Sequence, residues 1–332
     1  MTELNSRSSQ YLDFGLGGEP RIRPKPGTIS RDRVAISGCH GYIDLFEGGN
    51  SYYQRYFKKN YLEPLPVGNT IANELAELRL KVLSKGGTLV FLCVPNKATS
   101  LAENYPLWLP NSPTYLFREL EESLGDLSGN LFCKWMLVDD FDSRKQYWLE
   151  TDSHWNSFAA WSAAREIGNT LGVILRAPER TVVEPRWGGD LSGRWGETYL
   201  SEQRDRLYGD DAHRRLVFDN GFGVEQSAHE GRFLLWENSS APIDQEMAIV
   251  GDSFSGVGTS PEHLTYWLSL LFRKTYFFHG AAFPEDIFER CKSRHYVFQT
   301  NERFLPVAPL SRQPIVHFEN LFMNRIGKRD AE

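Results

Sequence analysis

The sequence is short of sulfur. Its 332 residues hold four cysteines and four methionines. Cys39, Cys93, Cys133 and Cys291 are far apart, form no CxxC pair and sit at no metal-ligand spacing with histidine, so neither a zinc site nor a redox dithiol is encoded. Cys93 and Cys133 lie in apolar runs and read as buried thiols, and nothing calls for a disulfide. Long hydrophobic runs are missing too: no stretch approaches the ~20 apolar residues of a membrane span. The opening residues are polar, with no apolar segment of the signal-peptide kind. The expectation is a soluble chain, cytoplasmic as written and periplasmic if a leader precedes it. A surplus of positive charge is absent as well, with 37 Lys and Arg against 43 Asp and Glu and a net charge of −6. No basic stripe offsets that balance, so no nucleic-acid partner is expected. Neither internal repeats nor low-complexity tracts occur.

What is present is an ordinary globular composition, 41% hydrophobic and 24% charged. Residues 1–33, rich in Gly, Pro, Ser and Arg, read as a flexible N-terminal arm. Residues 34–306 read as one α/β domain, and residues 307–332, following several prolines, as an irregular tail. Within the domain, Asn69 is a candidate cap for a helix carrying Ile71, Leu75, Leu78 and Val82 at the 3.6-residue period, ended by Gly86-Gly87. The apolar run Thr88 to Val94 then reads as a buried strand. Further strands are expected at 134–138, 247–250, 275–278 and 296–298, and helices at 155–171, 261–273 and 285–292. Between 173 and 245 short alternating runs with many Gly, Arg and Asp predict a β-rich insertion.

Two short segments carry the chemistry. Thr151-Asp152-Ser153-His154-Trp155 places a carboxylate and an imidazole two residues apart. Gly251-Asp252-Ser253 follows the apolar run Met247 to Val250, where a turn can present a serine at a strand end. A serine hydroxyl is a poor nucleophile until a base takes its proton, and that base needs an acceptor on its other ring nitrogen to fix its tautomer. Ser253, His154 and Asp152 supply those three parts. Taken singly, each segment reads equally as a plain turn or as a helix cap beside a packed histidine. Their joint occurrence after strand-like runs favours the nucleophile reading, since strand ends in an open α/β sheet gather at its carboxyl edge.

At these residues the sequence resembles the SGNH-hydrolase-like domain of the alginate O-acetyltransferases of the AlgX/AlgJ type. The resemblance rests on Asp152-x-His154-Trp155, the glycine-flanked Ser253, Val94-Pro95-Asn96-Lys97, Gly189-Asp190-Leu191 and Glu302-Arg303-Phe304-Leu305, with Gly38-x-x-Gly41-Tyr42 at its start. It spans residues 38 to 306. It implies a circularly permuted three-layer αβα sandwich with a mostly parallel sheet, and a triad of Asp152, His154 and Ser253. Because the His segment precedes the Ser segment, the strands after Ser253 should bring the oxyanion donors. Gly280 and Asn301 are those candidates, beside the Ser253 N–H.

Three further residues are substrate-binding candidates. Lys97 is suited to an anionic group such as a uronate, or to a solvated loop. Trp155, with Tyr147, Trp148, Trp187 and Trp195 nearby in sequence, is suited to stacking on a sugar or to packing. Arg303 is a contact or, with Glu302, polar support. No cofactor and no metal are called for. The expected activity is transfer of an acetyl group to a hydroxyl of a polysaccharide or glycan through a serine acyl-enzyme. Its partners would be a hydroxyl acceptor, an acyl donor and a membrane-bound acyltransferase supplying it. A carbohydrate acetylesterase shares every step except the last acceptor, and a non-catalytic carbohydrate-binding or scaffold protein is the alternative of another class.

Overall fold

The computed structural model describes residues 12–14, 20–47, 67–106, 115–125, 129–195, 200–221, 231–280, 283–284 and 286–307. The strands are β1 (Leu12–Phe14), β2 (Pro20–Ile22), β3 (Ala35–Ser37), β4 (Ile43–Leu45), β5 (Thr88–Val94), β6 (Asn130–Phe132), β7 (Arg180–Trp187), β8 (Glu202–Tyr208), β9 (Arg214–Asp219), β10 (Phe233–Asn238), β11 (Ile243–Gly251), β12 (Phe272–His279) and β13 (His295–Asn301). The helices are α1 (Val67–Ser84), α2 (Lys97–Ser100), α3 (Tyr115–Leu124), α4 (Phe141–Lys145), α5 (Ser157–Thr170), α6 (Leu264–Leu271) and α7 (Ile287–Arg290). Seven strands form the central sheet in the order β6-β5-β13-β11-β12-β10-β9. The first five are mutually parallel, and β10 and β9 continue the sheet antiparallel.

The sequence of β5 explains its central place. Val90, Leu92 and Val94 enter one core, and Leu89, Phe91 and Cys93 enter the other. A strand covered on both faces needs no polar alternation, which is why the run is continuously apolar. Met247 and Ile249 of β11 join the first core, Ala248 and Val250 the second. The first core is closed by α5 and α6, the second by α1 and α3. On α5 the buried residues are Ser157, Ala159, Ala160, Ser162, Ala163, Ala164, Ile167 and Gly168, all but Ile167 small enough to let the helix lie close to its neighbours. Asn156 caps it, its side chain accepting from the Ala159 N–H. On α1, Ile71, Leu75 and Val82 face inward while Leu80 and Leu83 are exposed. The result is the three-layer αβα sandwich with a mostly parallel sheet, and the His segment precedes the serine-bearing strand as the permuted order requires.

Several local expectations are revised. Lys134 to Val138 is not a strand. Pairing with β5 is made by Asn130–Phe132, and after Cys133 donates to the Cys93 carbonyl the chain coils into a 3-10 turn at Lys134–Met136. Asn69 lies within α1, which already begins at Val67. The helix expected over 285–292 is the single turn α7, and β12 starts directly after α6. From the stretch 173–245, β7 and β8 pair with each other, whereas β9 and β10 extend the central sheet.

The N-terminal arm is tied down over its described part from Arg23 onward. Arg23 donates to the Gly41 carbonyl at 2.6 Å and pairs with Glu150 at 2.7 Å, and Ile29 bridges to Ile36. The tail at 308–332 lies outside the described residues. Among the described residues no helix is long and apolar enough to cross a membrane. Ala163 is fully buried in the α5 layer, so Ala163→Leu is expected to lower stability by about 1–3 kcal/mol through overpacking. Urea denaturation followed by tryptophan fluorescence measures it.

Candidate active site

The carboxyl ends of β5, β11, β12 and β13 share one edge of the sheet, where α/β folds place their sites. Ser253 follows β11 in a turn held by its neighbours. The buried Asp252 carboxylate accepts from the Phe254 N–H at 2.9 Å and from the Asn301 N–H at 2.7 Å, so it ties the turn to the end of β13. The Asp252 N–H donates to Gln299 Oε1 at 3.2 Å, which also receives the Ser255 hydroxyl at 2.8 Å. Gly256 closes the turn at φ +56°, a conformation that side chains disfavour. Burial pushes the Asp252 carboxyl up, against the N–H groups and the Arg303 charge that favour its ionised form. Ser253 itself is half-buried while Asp252, Phe254 and Ser255 are buried.

No strand delivers His154. Its segment is a loop, anchored by an isolated bridge between Trp148 and Trp155 and by buried polar groups. The Lys97 ammonium donates to the carbonyls of Asp152 at 2.6 Å and Leu149 at 3.0 Å. Glu202 accepts from the N–H groups of Glu150 and Thr151 and from the Thr151 hydroxyl, each at 2.7 Å. Asp190 accepts from the Ser153 N–H and hydroxyl at 2.7 Å each, and its own N–H donates to Asp152 Oδ2 at 2.9 Å. This approach needs Gly189, because a Cβ there would lie 2.4 Å from the Asp152 Cβ.

These two frames meet at the imidazole. Asp152 Oδ1 accepts from His154 Nδ1 at 2.7 Å and from the His154 backbone N–H at 2.8 Å, and His154 Nε2 lies 2.7 Å from Ser253 Oγ. With Nδ1–H given to the carboxylate, Nε2 is left to accept from the serine hydroxyl. Burial opposes ionisation of Asp152, but the His154 charge and hydrogen bonds outweigh it and hold the carboxyl well below its usual range. Burial likewise opposes a charged His154. Asp152 and Asp190 outweigh it and Arg303 acts the other way, so the imidazole is raised above its ordinary 6.5. Nearby His263, whose Nδ1 accepts from the Gly258 N–H, is pushed down to about 4 by burial and stays neutral.

The other candidates fare differently. Gly280 donates its N–H to the Gly251 carbonyl at 3.0 Å and is not available to an oxyanion. Asn301 is fully buried, its amide donating to the Pro95 carbonyl and accepting from the Arg303 N–H, which makes it a clamp between turns. Lys97 is 5% exposed, its ammonium under the carbonyls of the His loop rather than in solvent. Trp155 is fully buried, donating to the Glu262 carbonyl at 2.8 Å and packed edge-on against Phe254, so it is core and not a sugar platform. Arg303 is buried at the edge of the site, its guanidinium 5.7 Å from the Phe254 ring centre.

Asp152, His154 and Asp190 can bring one ligand atom each within 4.8 Å of one another. Metal binding there would compete with the Asp152–His154 hydrogen bond. Sequence reasoning noted Asp190 within the Gly189-Asp190-Leu191 motif without giving it a role, and passed over Glu202 and Gln299, for which no signal existed.

No protein-family model matches the sequence, and no curated protein is similar to it in sequence. Solved structures are similar in fold. The O-acetyltransferase domain of AlgJ from Pseudomonas putida aligns with a TM-score of 0.52 at 16% identity, covering 86% of this chain and 99% of that one. The chain shares that fold. PatB1 from Bacillus cereus aligns with a TM-score of 0.52 at 14% identity, over 72% of this chain and 90% of that one. PatB1 carrying a sulfonyl adduct gives 0.52 at 13%, over 82% and 96%.

Replacing Lys97 tests its place under the loop. Lys97→Met leaves the carbonyls of Leu149 and Asp152 without their donor and is expected to cost about 1–3 kcal/mol. A drop in urea midpoint checks it, and an unchanged midpoint would return Lys97 to the surface role.

Proposed function

We propose that residues 34–306 form the catalytic unit of an O-acetyltransferase that modifies hydroxyls of a polysaccharide or glycan. The observation that carries this reading is the continuous hydrogen-bonded line from Asp152 through His154 to Ser253, 2.7 Å at each link, at the carboxyl edge of the sheet. The shared fold with an O-acetyltransferase domain supports it.

In this reading His154 Nε2 takes the Ser253 proton as Oγ attacks the carbonyl carbon of an acetyl donor. Asp152 stabilises the imidazolium that results. The tetrahedral oxyanion receives the Ser253 N–H, for which no acceptor exists among the described residues. Collapse breaks the bond to the donor's leaving group, which carries away the proton from Nε2 and leaves acetyl-Ser253. An acceptor hydroxyl then gives its proton to His154 and attacks the acetyl carbon, and the second collapse returns the proton to Ser253. Water in place of the acceptor gives hydrolysis, so an acetylesterase differs only in what the cleft admits. The donor is an acetyl ester or thioester, and a membrane-bound acyltransferase is the partner suited to supply it.

The test is incubation with a chromogenic acetyl ester, with and without oligosaccharide acceptors, followed by mass analysis. Acetyl on the Ser253 peptide and on the acceptor is expected, with Ser253→Ala losing about 10⁴-fold or more of the rate. Acetate release with the acceptor unmodified would make the protein an esterase, and no turnover or labelling would remove both readings. His154 works only when neutral and its pKa is raised, so the rate should fall as pH drops through a midpoint above 6.5. Asp190→Asn removes a charge that favours the imidazolium and should move that acidic limb to lower pH. A pH–rate profile of both proteins checks the sign.

A further inference from the structure

The Nδ1 side of the His154 ring holds more oxygen acceptors than one triad needs. Asp152 Oδ1 takes the Nδ1–H at 2.7 Å. Two more oxygens stand close to the same nitrogen, Ser153 Oγ at 3.4 Å and Asp190 Oδ2 at 3.9 Å. A movement of about 1 Å brings either of them to full bonding distance.

This crowding is built into the backbone. Three consecutive N–H groups stitch the Gly189–Leu191 turn to the His loop. Gly189 donates to Thr151 Oγ1 at 2.9 Å, Asp190 to Asp152 Oδ2 at 2.9 Å and Leu191 to the Thr151 carbonyl at 3.1 Å. Those bonds would hold the turn whatever side chain stood at 190. The carboxylate at that position goes further, its two oxygens taking the Ser153 N–H and hydroxyl at 2.7 Å each. With its proton given to Asp190, Ser153 Oγ has only lone pairs left to offer the ring. Both routes from Nδ1 therefore end on an acid, one directly and one with a hydroxyl between. The charges of Asp152 and Asp190 both favour a protonated ring. Asp190 differs from Asp152 in exposure, its side chain being 42% exposed against 10%, so it can be replaced without opening the core.

We propose that Asp190 is a second orienting carboxylate for His154, a positioning residue that holds Nδ1–H, with Ser153 Oγ between, whenever the Asp152 bond is broken. A ring that swings off Asp152 meets another acid on the same side. It keeps its proton on Nδ1, and Nε2 stays free to accept from Ser253. What this does to rate rests on the acetyl-transfer reading, whereas what it does to the ring rests on the geometry alone.

The tautomer of His154 tests it, read by ¹⁵N NMR of the histidine side chains in the full chain and assigned with His154→Gln. The proteins compared are wild type, Asp152→Ala and Asp152→Ala/Asp190→Asn, with hydrolysis of a chromogenic acetyl ester measured beside them. Losing the orienting acid of a serine triad costs about 10⁴-fold in rate. Here Asp152→Ala is expected to lose only about 10²-fold and keep the Nδ1–H form, and the double variant to lose about 10⁴-fold together with that form. Asp190→Glu in the Asp152→Ala background keeps a carboxylate and should keep the Nδ1–H form. Asp152→Ser, which leaves one oxygen at that position, is run in parallel so that a misfolded alanine variant does not decide the matter. A ring that loses Nδ1–H with Asp152 alone would overturn the proposal. So would a tautomer that is the same with aspartate and asparagine at 190, since a purely structural Asp190 would move the thermal midpoint and not the proton. A chain that cleaves no ester loses the acetyl-transfer reading, while the tautomer still decides the part played by Asp190.

Discussion

A lysine ammonium buried beneath backbone carbonyls holds the line of Asp152, His154 and Ser253 in place. The serine turn needs little help, because β11 delivers it. The histidine has no such strand, and its loop would be free to move were it not for Lys97 below, Glu202 behind and Asp190 beside it. Buried charges of this kind are expensive unless fully bonded. Here the charged groups are satisfied largely by main-chain N–H and carbonyl groups, so the network fixes backbone position rather than pairing side chains with one another. The imidazole inherits its position from that arrangement.

The same network sets the electrostatics. Asp152 is kept ionised by the groups that orient it, and its charge raises His154 against the pull of burial. Asp252, its counterpart in the serine turn, does structural work by spanning two strand ends. Two aspartates in similar short motifs thus have separate duties, divided by what their oxygens accept from. Phe254 and Trp155 fill the space between the frames, and the His154 ring sits 5.1 Å from that of Phe254.

Legibility in the sequence followed locality. The β5 run, the stripe of α1 and the small-residue face of α5 were readable because burial on a regular element leaves a periodic trace. The meeting of Asp152, His154 and Ser253 was readable because each stands on a short turn with a distinctive residue pattern. Lys97, Trp155, Gly280 and Asn301 each own a polar group that the fold has bonded to a carbonyl. A sequence shows that a residue owns a polar group, not whether a distant carbonyl has already taken it. Glu202 left no trace, since an acid in an alternating strand looks like any solvated one. Lys134 to Val138 looked like a strand because it is continuously apolar after Lys134, but Met136 is its one buried residue, reached from a turn, and Val138 is exposed.

The place of β13 has a consequence for how the molecule assembles. This strand, the last among the described residues, lies between β5 and β11 and bonds to both. Until residues 295–301 have been synthesised, β5–β6 and β11–β12 are separate fragments with open edges and no ladder between them. The sheet is completed by an insertion at its middle rather than by growth at its rim, a non-local closure of the kind that slows folding and leaves edges open to wrong pairing. Because Asn301 at the end of β13 supplies the N–H that fixes Asp252, the serine turn cannot acquire its final form before that closure. Folding and the readiness of the site therefore end in one event.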